Sequence, residues 1–161
     1  ALRDYLGVET VIWLGRGLED DETDGHVDEI ACFLAPGRVA ALVADDQEDG
    51  NWERLDDNRR RLELAVDAAG RRLEVVEIPQ PPLGRHPDGS RLARSYINFY
   101  MAGDGERSGL VMPAFEVAGD DRARRILRDA CPGRKVVQVP AGDIVIGGGG
   151  IHCITQQQPA V

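Results

Sequence analysis

Short runs of β-branched and other apolar residues recur along the chain at intervals of about 60 residues. They lie at residues 11–14 (Val-Ile-Trp-Leu), 75–79 (Val-Val-Glu-Ile-Pro) and 136–140 (Val-Val-Gln-Val-Pro). Runs of this length and composition are typical of buried strands. The pattern therefore predicts three equivalent strands in a repeated unit.

A helical spacing of apolar residues precedes the second and the third run. Residues 51–72 place Leu55 and Leu62 on one face, and residues 118–131 repeat the pattern before a Pro-Gly pair. Residues 2–7 resemble the end of a third such helix. We therefore predict two complete helices and part of another.

A hairpin pattern precedes each complete helix. The first pairs residues 29–34 with 38–44 across a Pro-Gly turn, and the second pairs residues 95–102 with 110–113 across a turn at 103–105. The unit therefore reads hairpin, helix, strand, or ββαβ. It occurs twice in full, after the end of one copy and before the start of another at residues 143–158.

A repeat that begins and ends in mid-unit predicts part of a closed, circular α/β arrangement. Units of a ring bury their faces against neighbouring units, so an incomplete ring leaves apolar surface and strand edges open. We therefore expect residues 1–161 to be one portion of a single domain and to need partners for the open surfaces.

Composition narrows the class of protein. The chain has 161 residues, 42% of them hydrophobic, and a formal net charge of −9. This length is typical of one globular domain, and the acidic balance argues against a nucleic-acid partner and suits a small cation. No apolar run approaches the roughly 20 residues of a membrane span, and the N-terminus lacks a signal-peptide pattern. We expect no membrane segment and a cytoplasmic location.

The number and spacing of the cysteines indicate neither a disulfide framework nor a zinc site. There are three, Cys32, Cys131 and Cys153, without short paired spacings. Buried, inert cysteine is the usual form of this residue type, and it is the expectation for Cys32 and Cys131. A reducing compartment agrees with this usage.

Two segments that follow predicted strands carry the reactive side chains. In the first, Thr-Asp-Gly-His-Val-Asp at residues 23–28, His26 and Asp28 are two apart and would share one face of an extended strand. That arrangement suits an imidazole that carries protons beside a carboxylate that holds a cation. A solvated acidic turn, continuing from residues 19–22, explains the same residues without any function.

The second segment carries four glycines followed by Ile, His152 and Cys153. A thiol beside backbone amides and an imidazole loses its proton readily, so Cys153 is a candidate nucleophile. The glycines permit close backbone approach, but the segment lacks the Lys-Ser/Thr pair of a phosphate-binding loop. The remaining histidine, His86, is explained by turn formation.

A metal site is the alternative use of these side chains. His26, Asp28, His152 and Cys153 could supply four ligands. Adjacent His152 and Cys153 on a strand would point to opposite faces, so both could hardly bind one ion. We expect no metal and no organic cofactor, and a metal-dependent hydrolase built on His26 and Asp28 stays an alternative.

Four stretches of the sequence resemble the agmatine deiminase family, relatives of the bacterial peptidylarginine deiminases in the guanidine-modifying (pentein) superfamily. They are residues 11–15, 23–28, 95–100 and 148–157, in order along the chain, and the last (Gly-Gly-Gly-Ile-His-Cys-Ile-Thr-Gln-Gln) is the most specific. The turn at residues 103–108 departs from the family's Asn-Gly pattern. The family's N-terminal half, with a Trp-x-Arg-Asp-x-Gly-Pro segment that supplies a second carboxylate, has no counterpart here. The chain therefore resembles the C-terminal half of the enzyme.

The resemblance implies a fold, a reaction and a role for each site residue. The fold would be a five-bladed α/β propeller of ββαβ units. Cys153 would be the nucleophile, His26 the general acid and base, and Asp28 a carboxylate that binds the guanidinium group. The reaction would be hydrolysis of agmatine to N-carbamoylputrescine and ammonia, a step of polyamine biosynthesis.

The resemblance also implies partners and leaves alternatives open. The partners would be a small guanidine cation, the absent N-terminal half and a second copy of the chain. Arginine or peptidyl-arginine could replace agmatine as the substrate. A half-propeller that only binds other proteins, with idle site residues, is the non-enzymatic alternative.

Overall fold

The predicted ββαβ unit occurs twice in the computed structural model, which describes residues 1–21, 25–103 and 108–158. In the first unit, strands β1 (Ala31–Ala35) and β2 (Arg38–Val43) form an antiparallel hairpin, which the Pro36-Gly37 turn closes with Gly37 at a φ of +77°. Helix α2 (Trp52–Leu64) follows, and strand β3 (Glu74–Pro79) then pairs with β2 in parallel. The sheet order is β1-β2-β3.

The second unit repeats this connectivity after a small additional hairpin. That hairpin consists of β4 (Gly84–Arg85) and β5 (Arg91–Leu92). Strands β6 (Tyr100–Ala102) and β7 (Gly109–Ala114) are antiparallel. Helix α3 (Gly119–Ala130) leads into β8 (Lys135–Pro140), which is parallel to β7. The helices at the two ends are short, α1 (Leu2–Leu6) and α4 (Gly142–Ile146).

One apolar core connects the two units. The strands contribute buried side chains such as Leu42, Ile78 and Met112, while Leu55 of α2 and Leu127 of α3 lie in the same cluster. Helix α3 of the second unit also packs against β3 of the first. The central strands are therefore covered on both sides, which explains their nearly continuous apolar sequence.

Three predicted elements differ from the structure. Residues 11–14 alternate between exposed and half-buried, as in a strand, but they are not in a sheet. Helix α2 ends at Leu64 instead of residue 72, because the Asp67 carboxylate accepts the backbone N–H groups of Ala69 and Arg71 and forms a turn. Residues 143–158 form α4 and turns instead of starting a hairpin.

The second predicted hairpin is shorter than expected. Its first strand begins at Tyr100 rather than at Ser95, because the Ser95 hydroxyl accepts the Ile97 N–H at 3.0 Å and holds a turn there. The predicted Gly-Asp-Gly turn extends into residues 104–107, which lie outside the described residues. Within the described ranges, no helix has the length and apolar character of a transmembrane span.

A buried carboxylate ties helix α3 to the segment that leads into β6. Asp120 accepts hydrogen bonds from the Tyr96 hydroxyl at 2.6 Å, from the Phe115 N–H at 3.0 Å and from the Val117 N–H at 3.2 Å. Asp120 and Tyr96 are both buried. The first turn of α3 is thereby fixed to the core from outside the helix.

We expect Asp120→Ala to lower the free energy of unfolding by about 3 kcal/mol, because three donors, two of them buried, lose their acceptor. The matched control is Asp121→Ala, which removes the exposed neighbour that pairs with Arg124 and should cost under about 0.5 kcal/mol. Urea unfolding of both variants measures the difference. Equal losses would contradict the assigned role of Asp120.

Candidate active site

The segment before β1 makes one 3-10 turn, Val27–Glu29, that positions two of the predicted site residues. His26 precedes the turn with extended dihedral angles, and Asp28 lies inside it. Gly25 has a φ of +103°, and a Cβ built on Gly17 would lie 2.2 Å from the Gly25 Cα. Two stretches of backbone therefore cross immediately before His26, and only glycine fits at the crossing.

A glycine-rich loop after α4 presents Cys153. A Cβ built on Gly150 would lie 2.4 Å from the side-chain oxygen of Asn98, so the loop approaches this asparagine as closely as its backbone allows. The N–H and the hydroxyl of Thr155 donate to the His152 carbonyl at 2.9 and 2.7 Å. These bonds fold residues 151–154 into turns.

Asp28 joins the two segments. Its Oδ2 atom lies 2.7 Å from Nδ1 of His152 and 3.4 Å from Sγ of Cys153, which donates to it as a thiol. Burial acts to raise the pKa of Asp28, but the hydrogen bonds from His152 and Cys153 outweigh burial and lower it below its usual value. The carboxyl group is therefore ionised at neutral pH.

Two predictions about local geometry are wrong. His26 and Asp28 do not share one face of an extended strand. The Ile30 N–H donates to the Val27 carbonyl at 2.9 Å, and this hydrogen bond closes a turn that contains Asp28. His152 and Cys153 do not point to opposite faces, because a turn replaces the predicted strand. Both side chains contact the same oxygen of Asp28.

The environment of the Cys153 thiol opposes its ionisation. Burial and the charge of Asp28 raise the pKa of Cys153, while hydrogen bonds from the Gly150 backbone and from Asn98 act to lower it. The expectation that this thiol loses its proton readily is therefore wrong for these surroundings. Cys153 is nevertheless the exposed cysteine of the three.

The other two cysteines are less accessible. Cys131 is buried, as predicted, and burial raises the pKa of its thiol. Cys32 is half-buried rather than buried, and burial together with the charge of Asp28 raises its pKa to about 11. Both thiols are therefore protonated at neutral pH.

Asn98 is a site residue that the sequence analysis did not single out. Its Nδ2 atom lies 3.2 Å from Sγ of Cys153, 3.2 Å from Oδ2 of Asp28 and 2.7 Å from Oε1 of Glu29. Its Oδ1 atom accepts the His152 N–H at 2.7 Å. Asn98 lies within the Ser-Tyr-Ile-Asn-Phe-Tyr stretch at residues 95–100, which marked its position but not its contacts.

Glu29 is a buried acid at the same place. It is 4% exposed, and its Oε2 atom has no hydrogen-bond partner in the part of the chain that the structure describes. Burial, followed by the charges of Asp28 and Asp21, raises the pKa of Glu29 to about 8. Glu29 is therefore mostly a neutral carboxylic acid at pH 7.

A cavity of about 140 Å³ opens beside Cys153. Its lining combines the two segments with the β4–β5 hairpin and includes two aspartates, one glutamic acid, two histidines and one arginine. The residues are Asp20, Asp21, His26, Glu29, His86, Ser90, Arg91, Ala93, Val145, Gly148, Gly149 and Cys153. His86, assigned to a turn from the sequence, is in that turn and also lines the cavity.

The structure thus brings His26 and Cys153 into one cavity and places Asp28 in contact with the sulfur. Thr23 and Asp24, from the same motif as His26, lie outside the described residues. Among the described residues, no group of three or more His, Cys, Asp or Glu side chains is arranged to hold a metal ion. The chemistry available is that of a thiol, an imidazole and carboxyl groups beside a small acidic cavity.

Comparison with known proteins decides the family. The profile of the Porphyromonas-type peptidyl-arginine deiminase family matches residues 1–159. The chain belongs to this family. The resemblance inferred from the four sequence motifs is thereby confirmed. The mixed α/β fold is confirmed as well, because the solved structures of an Enterococcus faecalis agmatine deiminase and of a provisionally named arginine deiminase from Porphyromonas gingivalis share it.

The family relatives that this chain matches are longer than the chain itself. A provisionally named agmatine deiminase of Legionella pneumophila is 52% identical over 159 residues, covering 98% of this chain and 44% of the relative. Agmatine deiminase of Pseudomonas aeruginosa is 46% identical, covering 99% of the chain and 47% of the relative. The structure of Enterococcus faecalis agmatine deiminase matches with a TM-score of 0.89 and 36% sequence identity. The match covers 98% of this chain and 47% of the E. faecalis chain. The chain spans about half the length of the relatives it matches.

The raised pKa of Glu29 predicts how stability depends on pH. A carboxyl group with a pKa of about 8 when folded and 4.5 when unfolded favours folding fully below pH 4.5, and this contribution disappears as the pH rises through 8. We expect wild type to lose on the order of 4 kcal/mol relative to Glu29→Gln between pH 4.5 and 9. Urea unfolding at each pH measures it, and parallel curves for the two proteins would contradict the buried neutral acid.

Proposed function

We propose that this chain carries the nucleophile and the proton-transfer group of an enzyme that hydrolyses a guanidine group and releases ammonia. The observation that supports this most directly is the placement of Cys153 and His26 on one small cavity, with Asp28 at 3.4 Å from the sulfur. The family assignment and the names of the relatives favour the same reaction. We propose agmatine as the substrate, with N-carbamoylputrescine and ammonia as products.

The electrostatics of the cavity suit a cationic substrate. A guanidinium group is a delocalised cation with a planar set of donors that matches carboxylate acceptors. The three contacts of Asp28 all use Oδ2, so Oδ1 is the atom on which a guanidinium could bind. The bound cation would oppose the effect of Asp28 on Cys153 and lower the pKa of the thiol. The substrate would thereby help to create its own nucleophile.

The proposed reaction has two stages. The Cys153 thiolate attacks the central guanidinium carbon, His26 protonates the departing nitrogen, and ammonia leaves with formation of an amidino thioether. A water molecule then gives a proton to His26 and attacks the same carbon. The C–S bond breaks to release the thiolate and the urea product, whose remaining hydroxyl proton passes to solvent. Proton transfer by a positioned side chain contributes typically 10²–10⁴-fold to the rate.

We also propose that the two ββαβ units are neighbouring blades of a five-bladed propeller. Equivalent strands β3 and β8 are about 60 residues apart, so a relative twice as long has room for the remaining blades. Exposed apolar side chains at the N-terminal segment, including Tyr5, Leu6 and Trp13, would pack against the rest of the ring. The second carboxylate for the guanidinium would come from there.

We expect the 161-residue chain alone to release no ammonia from agmatine, because Asp28 can accept only part of the guanidinium donor set. Mixing it with the portion of P. aeruginosa agmatine deiminase that it does not cover should give a complex and ammonia release. Size-exclusion chromatography with an ammonia assay measures both. Activity from the chain alone, as a monomer, would contradict the propeller assignment and the need for a second carboxylate. A stable complex without turnover would favour the non-catalytic alternative.

Three substitutions separate the proposed roles in the active form. Cys153→Ser should abolish turnover and leave folding intact, with Cys131→Ser as the matched control that stays active. His26→Asn should lower kcat by 10²-fold or more, because both proton transfers are lost. Asp28→Asn should lower kcat and raise KM, because binding and thiol ionisation both change.

Steady-state kinetics with agmatine, arginine and a peptidyl-arginine substrate measures these effects and identifies the substrate. A haloacetamidine reagent should label Cys153 and spare Cys32 and Cys131. Activity that survives Cys153→Ser but not Cys131→Ser would overturn the assignment of the nucleophile. A neutral Asp28→Asn would move the cation-binding role to another residue.

A further inference from the structure

We propose that Asn98 is the positioning residue of the nucleophile: its amide fixes the Cys153 loop and donates a hydrogen bond that stabilises the thiolate. The inference rests on the proposed function, since it takes Cys153 as the nucleophile. Asn98 is 1% exposed and lies 55 residues before the sulfur it contacts. Asn98 is therefore packed in the protein interior and contacts the site from its buried side.

The neighbours of Asn98 determine which way its amide points. On the Nδ2 side lie only acceptors, namely the Asp28 carboxylate, Oε1 of Glu29 and Sγ of Cys153. On the Oδ1 side lie donors, namely the N–H of His152 at 2.7 Å, the N–H of Cys153 at 3.4 Å and the Cys153 thiol at 3.6 Å. The reversed amide would place oxygen against a carboxylate and NH₂ against two N–H groups. One orientation is therefore strongly preferred.

The amide has fewer protons than acceptors. Nδ2 carries two hydrogens and faces three acceptors, so the hydrogen bond to Sγ competes with those to the two carboxyl groups. A thiolate accepts more strongly than a thiol, so ionisation of Cys153 draws an N–H toward the sulfur. Asn98 therefore favours the thiolate over the thiol, against the effect of Asp28.

The surrounding backbone is built around this side chain. Gly150 leaves room for Oδ1, as the 2.4 Å approach of a Cβ built there shows. The Ser95 hydroxyl donates to the Glu29 carbonyl at 2.6 Å, which ties the segment before Asn98 to the 3-10 turn of the site. The buried Asn98 side chain thus links the position of the Cys153 sulfur to the protein core.

The test is the pH dependence of Cys153 alkylation in the 161-residue chain. The chain is labelled with iodoacetamide at each pH, and peptide mass spectrometry measures the fraction of Cys153 that has reacted. Asn98→Ala removes both sets of contacts and should shift the apparent pKa of Cys153 upward by about one unit or more. Gly150→Ala keeps Asn98 but displaces its amide, and it should shift the profile in the same direction.

The matched control is Asn58→Ala. Asn58 is equally buried, and it bonds to the Gly15 N–H at 2.6 Å and to the Arg16 carbonyl at 2.9 Å, away from the three cysteines. Its loss should lower stability in a thermal unfolding experiment without moving the Cys153 profile. An unchanged profile in Asn98→Ala, or an equal shift in Asn58→Ala, would overturn the inference. Because the labelling needs no guanidine substrate, a chain that shows these shifts without deiminating would refute the proposed function alone.

Discussion

The Asp28 carboxylate connects two loops that are 124 residues apart in the sequence, and the geometry of the site depends on that junction. Closing so long a loop costs chain entropy that one hydrogen bond could not offset, so the shared core must bring the loops together first. When the loops have met, the charge of Asp28 requires its neighbours to be hydrogen-bond donors. An ionised oxygen accepts hydrogen bonds, so His152 carries a proton on Nδ1 and the Cys153 sulfur is a thiol that donates to the same oxygen.

The same charge also acts on the Cys153 sulfur. Burial of the thiol and the charge of Asp28 both raise its pKa and so suppress the thiolate. Glu29 does not add to the suppression at neutral pH, because burial keeps it largely protonated. The protein can therefore hold a second carboxyl group near the sulfur without a second negative charge.

Local patterns predicted the fold well where neighbours along the chain determine the structure. The Pro36-Gly37 turn, helix α3 and the strands β3 and β8 follow directly from turn residues and apolar spacing. Residues 11–14 show the limit of such patterns, because a strand also needs a partner that the sequence does not reveal. Helix α2 shows another limit, since one Asp67 turn overrides a longer helical spacing.

In the site, the sequence revealed the residues whose side chains are reactive or charged by nature. Cys153, His26 and Asp28 could be named as candidates from their motifs, although the turns that orient them could not. Asn98 could not be found this way, because an amide becomes informative only when its acceptors are known. Glu29 was hidden for a similar reason, since its protonation depends on burial and on a charged neighbour.

The packing of α3 against β3 has a consequence for how the chain unfolds. Because the second unit supplies a helix to the sheet of the first, that sheet loses part of its cover when the second unit opens, although α2 remains packed against it. Local opening of the second unit therefore exposes part of the first, so the slowest-exchanging amides of both units should share one protection free energy. The two repeats are equivalent in architecture, yet we expect them to exchange as a single cooperative foldon.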